Sequence, residues 1–440
     1  MDDVSQTTTG ANEEQTLYAA MERARCFIGS VHELGLSLSS KSVLLCNDRP
    51  MACKLQRFIQ RCGAAIRISS SADDLGIEKS GRERRVRKTL NKRLRNGMRR
   101  AKKASWLAFR GARAFKLFKS GVKPAITFGA LTQGMSPTDR KKLDRGAVLT
   151  LGNNGFNACR ITSPMFKLKS LPSVDAAVEQ IAYWSRYWHS IGPDTRKQVT
   201  QTWREIKDQL KCLPFVSRWS KVFGGIGATI TTLLEVGWTP ISPMVWLDET
   251  NDEVAVLGSS PFSDGLIVHA FREACMKVHW TMASEHFAGD ELEQGPPSFC
   301  AIDSLRKQSR RSDFDGDPEA WKFAANAACG GSPCGSRFNE LCLRCGQAPD
   351  TPEHRYFLCP HNCSQEALKF GNIAQTQWLV KKAKDASFKP NCLWFRALLP
   401  FSMHKDMFGP ANLEQKLRVF ASRQQPNSGS LYTDGAGGPR

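Results

Sequence analysis

The sequence predicts a predominantly helical α+β protein. Over much of the 440-residue chain, apolar residues recur at spacings of three and four, which is typical of amphipathic helices. Short alternating or continuous apolar runs, typical of strands, occur only in a few places between these stretches. The length is that of roughly two to four domains, and a cluster of cysteines and histidine predicts a small metal-stabilised segment among them.

The N-terminal residues predict two helices and one or two strands. Residues 13–34 and 50–62 carry apolar side chains at helical spacing. Residues 34–46 predict either a short β-hairpin or a loop that enters a strand, because three alternating leucines precede Ser-Ser and an apolar run. The run AAIRIS, residues 64–69, is a further strand candidate.

The next region is strongly basic and has a helical period. Between Arg82 and Lys119 there are sixteen Lys or Arg residues and one acid, Glu83. An apolar stripe runs from Val86 to Ala108 at three- and four-residue spacing, which predicts a buried helix face. The cations that lie off this stripe are candidate nucleic-acid-binding residues: Arg84, Lys88, Lys92, Arg95, Arg99 and Lys103.

A charge run of this kind has two interpretations. Most are solvated helix faces, but such faces usually alternate acids and bases that pair at a spacing of four. The near-absence of acids here, within a chain that has 62 Lys or Arg against 42 Asp or Glu, favours a polyanionic partner. We expect nucleic acid, an RNA or DNA duplex, bound through its phosphates with little sequence preference.

The middle of the chain predicts further helices. Residues 173–235 have a helical pattern that breaks near 191–193 and near 212–214, where proline stands. The run MVWLDETNDEVAVLG predicts a β-hairpin that turns at Asn251-Asp252, and residues 264–283 predict another helix.

Residues 342–359 have the spacing of a metal site, C-x2-C-x8-H-x4-C. A pair of cysteines two apart can hold one metal ion from a tight turn, and a returning segment supplies the other two ligands. Four such ligands leave no open position for water, so we expect a structural Zn²⁺ at Cys342, Cys345, His354 and Cys359. Other residues could replace members of this set in a shifted register: His361, Cys363 and Cys334.

Composition excludes two classes of protein. The fifteen cysteines are odd in number and scattered, unlike the dense framework of a secreted domain, so we expect reduced thiols and an intracellular location, nucleus or cytoplasm. The absence of an apolar run of 18 residues or more predicts that no segment spans a membrane. The acidic N-terminal residues lack the apolar region of a secretory signal.

Short motifs follow a fixed order along the N-terminal part. The chain opens with Asp2-Asp3, and a helix, Gly35-Leu36, Lys41-Ser42 and Leu75-Gly76 precede the basic region. This order resembles the downstream half of a non-LTR retrotransposon reverse transcriptase, whose palm carries an x-D-D hairpin, a G-L-x-L segment running into Lys-Ser or Lys-Thr, and an L-G turn. The resemblance implies that the basic helical region is the thumb, which grips the template–primer duplex in these polymerases.

The C-terminal half continues the same order. In long elements of this kind, a zinc knuckle can follow the polymerase, and an RNase H domain can follow the knuckle. The segment from Cys342 to Cys359 resembles the knuckle, and Tyr432-Thr433-Asp434-Gly435 resembles the first strand of RNase H. Residues 165–330 match only loosely.

The resemblance also implies particular chemistry. Nucleotidyl transfer in this family uses two metal ions, and we expect Mg²⁺ only in the complete parent enzyme. Asp2 and Asp3 would belong to its metal cage, Lys41 would protonate or neutralise the leaving pyrophosphate, and Asp434 would be the first RNase H carboxylate. An exposed lysine at a strand end is an equally good interpretation of Lys41. Because the remaining metal-binding acids have no match, we expect a catalytically incomplete part of a longer polyprotein.

The resemblance and the residue patterns together predict a division of the chain. A second function class stays open, a non-catalytic, zinc-stabilised nucleic-acid-binding protein that shares the pattern. The predicted segments are a palm remnant at 1–80, a basic thumb-like region at 81–165, a helical connection at 166–330, a CCHC zinc knuckle at 331–365, a linker with helices at 366–425, and the start of a truncated RNase H domain at 426–440.

Overall fold

The structure is a computed structural model that falls into two compact units. The division lies between Val278 and His279, with Ala158 and Cys159 belonging to the second unit. The described residues are 6–74, 77–81, 85–109, 114–151, 158–250, 253–256, 261–311, 320–330, 341–363 and 373–404.

Helices dominate both units, and the strands are short and few among the described residues. This confirms the predominantly helical α+β class. Among the described helices, none has the length and apolar character that crossing a membrane requires. The six predicted segments stay predictions.

The first unit begins with two helices and a parallel strand pair. Helix α1 spans Glu13–Glu33 and α2 spans Arg49–Arg61, as the spacing predicted. Strand β1, Val43–Leu45, pairs in parallel with β2, Arg67–Ser69. The parallel pairing means that the hairpin alternative for residues 34–46 was wrong, because α2 forms the crossover between the two strands. Ile28, Leu55, Ile59 and Ala64 form the small core beneath them.

An antiparallel hairpin follows and leads to the basic helix. Strand β3, Ser71–Asp74, pairs with β4, Ile77–Ser80, and the Leu75-Gly76 motif between them lies outside the described residues. Helix α3 then spans Lys88–Phe109. It begins close to β4, where the Glu78 carboxylate accepts the Thr89 N–H at 3.0 Å.

Helix α3 packs on α7, Pro137–Thr150, over a continuous apolar core. Leu90, Leu94 and Ala101 of α3 are buried there, so the predicted apolar stripe does face the interior. Short elements complete this layer: α4 (Ala114–Leu117), a π-helical turn (Phe118–Val122), α5 (Lys123–Thr127) and α6 (Ala130–Gln133).

The helices in the middle of the chain end near the prolines, at the positions that the sequence predicted. Helix α9 spans Pro172–Ser190, α10 spans Pro193–Lys211, and Pro214 precedes α11, which spans Phe215–Arg218. Trp184 and Trp203 join α9 to α10, with ring centroids 5.1 Å apart. The helices of this layer are α8 (Thr162–Leu168), α9 (Pro172–Ser190), α10 (Pro193–Lys211), α11 (Phe215–Arg218), a 3-10 turn (Trp219–Lys221) and α12 (Gly225–Glu235).

A three-stranded antiparallel sheet closes the first unit. Strand β5, Thr239–Pro240, pairs with β6, Val245–Leu247, which pairs with β7, Glu253–Val256. The β6–β7 pairing confirms the predicted hairpin, although its turn lies outside the described residues. Helix α13, Pro261–Ser284, covers the predicted helical run.

The second unit is built from short helices around buried polar groups. Arg396 is fully buried and donates from Nη2 to the Ala328 carbonyl at 2.9 Å, and burial lowers its pKa. The Asp290 carboxylate accepts the Asn391 N–H at 2.9 Å. The elements are a 3-10 turn (Leu292–Gln294), α14 (Cys300–Gln308), α15 (Ala320–Ala328), α16 (Ile373–Asp385), α17 (Asn391–Arg396) and α18 (Phe401–His404).

Candidate metal centre and basic helix surface

Cys342 and Cys345 lie on one tight turn. The Gly346 N–H donates to the Cys342 carbonyl at 2.7 Å, and Gly346 has a φ of 64°, a left-handed conformation that glycine adopts at little cost. The Cys342 N–H donates to the Ala348 carbonyl at 2.7 Å, which closes the loop. The Gln347 N–H points at Sγ of Cys345 from 3.5 Å, so a backbone amide faces a sulfur.

His354 and Cys359 come from the returning segment. A π-helical turn, His354–Leu358, carries the histidine at its start, and Oγ1 of Thr351 accepts the His354 N–H at 3.1 Å. The Cys359 N–H donates to the His354 carbonyl at 2.6 Å. This turn therefore fixes the spacing of the second ligand pair.

The four predicted side chains converge on one point. The ligand atoms of Cys342, Cys345, His354 and Cys359 all lie within 4.8 Å of one another. Sγ of Cys342 and Sγ of Cys359 are 3.9 Å apart, and Sγ of Cys345 is 3.2 Å from Nε2 of His354. Metal–sulfur bonds of about 2.3 Å place two sulfurs of a tetrahedron about 3.8 Å apart. The group could therefore hold one metal ion with little rearrangement.

The surroundings shift the pKa values of two of these thiols in opposite directions. Hydrogen bonds from the Cys345 N–H, and more weakly from the Arg344 N–H, lower the pKa of the Cys342 thiol to about 7. Burial raises the pKa of the Cys359 thiol. A metal ion binds the thiolate form, so of these two thiols that of Cys342 is the more ready to ligate.

Contacts outside the ligand group support the fold of this segment. Arg355, beside His354, forms a two-point ion pair with Asp350. Its Nη2 contacts Oδ2, and its Nε donates to Oδ1 at 2.8 Å. The ring of Phe357 lies 5.4 Å from that of Phe388 and 6.1 Å from that of Phe395. These contacts attach the turn to α17, so the ligands stand on a packed element rather than a free loop.

The alternative ligands are not part of this group. His361 is exposed and lies outside the convergent set of described residues. Cys334 and the side chain of Cys363 lie outside the described residues.

The five described cations that were predicted to contact nucleic acid all face solvent. Helix α3 exposes each of them, and it contains no Asp or Glu. Within the described part of the chain, no carboxylate pairs with any of them. The exposed set is Lys88, Lys92, Arg95, Arg99 and Lys103, whereas Arg84 lies outside the described residues.

Other arginines of the basic region bind groups within the protein instead. Arg85 is half-buried and donates to the Gly134 carbonyl at 2.7 Å, and burial lowers its pKa to about 10. Arg87 forms an ion pair with the fully buried Asp139. Arg93 donates to the Phe128 carbonyl at 2.8 Å, with its guanidinium over the Phe128 ring.

Two exposed cations and one aromatic residue of α3 were missed by the sequence reasoning. Arg100, Lys102 and Trp106 are also exposed. The sequence contained a signal for Lys102 and Trp106. Together with Arg95 and Arg99 they are spaced by four, three and four residues, which places all of them on one line along a helix.

The four predicted catalytic residues are not brought together among the described residues. Asp2, Asp3 and Asp434 lie outside them. Lys41 is exposed in the loop before β1 and lines a cavity of about 1350 Å³ in the first unit.

Comparison of the chain with protein-family models, curated proteins and solved structures found no significant match.

Proposed function

We propose that this chain binds nucleic acid through the phosphate backbone, with helix α3 as the contact surface. The observation that carries the proposal is the distribution of charge on α3. Seven cations of this helix are exposed, no acid accompanies them, and the opposite face is buried in the core. A row of unpaired cations on a rigid helix suits a polyanion with regularly spaced charges.

A comparison with α10 of the same unit supports this assignment. Helix α10 is also largely exposed, but it carries Glu205 and Asp208 among its Lys and Arg residues. Mixed charges of this kind are typical of a solvated helix face. Because α3 carries no compensating charge, its field extends into solvent and attracts anions.

We propose further that the segment 341–363 holds a structural Zn²⁺. Three thiolates and one imidazole are a common donor set of structural zinc. Four protein ligands leave no position for a reacting water, so the metal would stabilise this short segment rather than catalyse a reaction.

The parent activity that we propose is that of a non-LTR retrotransposon reverse transcriptase, with the basic region as its thumb. The order of the motifs along the sequence supports it, and a surface of unpaired cations on α3 is compatible with gripping a duplex. Genomic sequence upstream of the coding region provides a test. Palm carboxylates encoded there would support the proposal, whereas unrelated sequence would favour a zinc-stabilised binding protein of another origin.

The salt dependence of duplex binding tests the proposed surface. The affinity for a labelled duplex should fall linearly with salt on logarithmic axes, since each neutralised phosphate contributes a slope of about −0.9. Replacing Arg95 and Arg99 together by Gln should make the slope less negative by about 2. Fluorescence anisotropy at several salt concentrations measures both quantities.

The matched control removes two exposed cations from the mixed-charge helix. The double variant Arg204→Gln and Lys211→Gln on α10 should leave the slope unchanged. A slope near zero in the unaltered protein, or equal losses in the two double variants, would contradict the assignment of α3.

A further inference from the structure

Helix α3 ends its line of exposed cations with an exposed tryptophan. Residues at spacings of four, three, four, three and four fall on one straight line along a helix, because the average is the helical period. The line spans about 27 Å at a rise of 1.5 Å per residue. Its members are Lys88, Lys92, Arg95, Arg99, Lys102 and Trp106, all of them exposed.

Trp106 is unusual among the tryptophans of this chain. Nine of the eleven are buried or half-buried, Trp378 is 60% exposed, and Trp106 is the most exposed at 71%. No aromatic ring or cation of the described residues stacks on it. A large ring left in water loses the stability that burial would provide, so its position next to Lys102 favours a ligand with a flat apolar face.

We propose that Trp106 stacks on an unpaired base, so that α3 binds a nucleic acid where a single strand leaves a duplex. This rests on the proposed function, because the cations from Lys88 to Lys102 hold the phosphates. Base–aromatic stacking accepts any base, since every base has a π face. Interior bases of a duplex are stacked on both faces, so the ring finds no free face along the duplex, whereas an unpaired base offers one.

Charge selects this occupant over an apolar or a basic protein surface. The side chain next to Trp106 on the same line is a cation, and α3 supplies no acid to bind a basic partner. Leu107 is 45% exposed but lies on the neighbouring line, with Arg100 and Lys103. Replacing Trp106 or its neighbour Leu107 therefore distinguishes stacking on a base from general apolar contact.

The test compares two oligonucleotides with the full-length chain. One is a blunt duplex of about 12 base pairs, which at 3.4 Å per pair is longer than the line on α3. The other is the same duplex with a single-stranded extension of about four nucleotides at one end. We expect the protein to bind the extended form roughly 5- to 150-fold more tightly, the range that stacking of one base supplies.

Variants at the two positions decide the assignment. Trp106→Ala should abolish the preference for the extended form and leave the affinity for the blunt duplex and the salt slope unchanged. Trp106→Phe should keep part of the preference, and Leu107→Ala should keep all of it.

Several outcomes would overturn the inference. One is a Trp106→Ala protein that still prefers the extension. Another is an equal loss of affinity for both oligonucleotides, or the same loss in Leu107→Ala. Binding to vesicles of anionic lipid is measured as well. If that binding needs both Trp106 and Leu107, and the protein shows no preference for the extended oligonucleotide, the partner is a membrane surface instead. Failure of the unaltered protein to bind either oligonucleotide would refute the proposed function itself.

Discussion

Helix α3 and the segment 341–363 carry the two predicted sites, and they are organised in opposite ways. On α3 the candidate side chains are separate and exposed, and the helix beneath them needs no ligand because α7 and the apolar core hold it. In the segment 341–363 the candidate side chains converge on one point, and three of the four are buried. The first arrangement can attract an extended anion, and the second can enclose a single ion.

The difference shows how each region obtains its stability. The core below α3 contains Leu94, Ala101, Phe118 and Leu143, each almost completely buried, so its cations can be exchanged without loss of the fold. The segment 341–363 has few buried apolar side chains beyond its ligands. Its fold therefore depends on the ligand group, and removing one ligand should have a much larger structural effect than removing one cation from α3.

The largest expected effect is the loss of one metal ligand. Purified protein should contain about one zinc per chain, and Cys345→Ser should contain none, because three ligands bind the ion far more weakly than four. Structural zinc contributes an apparent free energy of about 10 to 16 kcal/mol in small domains, so the segment 341–363 should unfold. Metal analysis and limited proteolysis within the segment measure the two effects.

The control for this variant is Cys300→Ser, which alters an exposed cysteine on α14 of the same unit. It should retain the full zinc content and the same proteolysis pattern. Full zinc in Cys345→Ser would show that the ligand assignment is wrong.

An intermediate effect is expected from Asp144 on α7, the helix that packs against α3. It should make the stability of the fold depend on pH. Asp144 of α7 accepts the Ser173 N–H at 2.9 Å and so caps the start of α9. Burial raises the pKa of its carboxyl from 3.8 to about 7. The folded chain therefore holds a proton that the unfolded chain has lost between about pH 4 and pH 7.

The sign of this effect follows from the raised pKa. The contribution of Asp144 to stability is fully present below pH 4 and is lost as the pH rises through about 7, with a total change of about 4 kcal/mol. Asp144→Asn keeps an acceptor for the Ser173 N–H but cannot ionise, so it should be more stable than the unaltered protein at pH 8. Thermal unfolding at pH 5 and pH 8 measures the difference.

The exposed Asp208 on α10 provides the matched control. Asp208→Asn should change the stability by the same small amount at both pH values. If Asp144→Asn is no more stable than the unaltered protein at pH 8, ionised Asp144 costs the folded chain no stability and the argument from burial is wrong.

The smallest expected effect concerns the packing of α3 itself. Gly97 lies in the middle of the helix, and a Cβ added there would overlap the fully buried side chain of Ile126 on α5. An alanine gains about 1 kcal/mol of helix propensity over glycine, but overpacking costs roughly 1 to 3 kcal/mol. We expect a net loss of stability for Gly97→Ala, seen as a lower melting temperature.

Asn96→Ala provides the comparison, because Asn96 is the exposed neighbour of Gly97. It should be neutral or slightly stabilising, since only propensity changes there. A higher melting temperature for Gly97→Ala would mean that α5 moves away easily and that α3 is held less tightly than the contact indicates.

The residue pattern was sufficient for the features that depend on neighbours along the chain. Helical spacing predicted α1, α2, α9, α10 and α13, and proline predicted the break between α9 and α10, because both signals act within one or two turns. The spacing of Cys342, Cys345, His354 and Cys359 likewise predicted a convergent group, since two tight turns determine where each ligand pair points.

Contacts between distant residues determined the rest. Nothing near Arg87 in the chain shows that it is an anchor, because its partner Asp139 lies 52 residues away. The parallel pairing of β1 with β2 also required the fold, because an apolar run does not specify its partner strand. Helical spacing places Trp106 on the line of Arg95 and Arg99, but only the packing of α3 on α7 decided that its ring faces solvent.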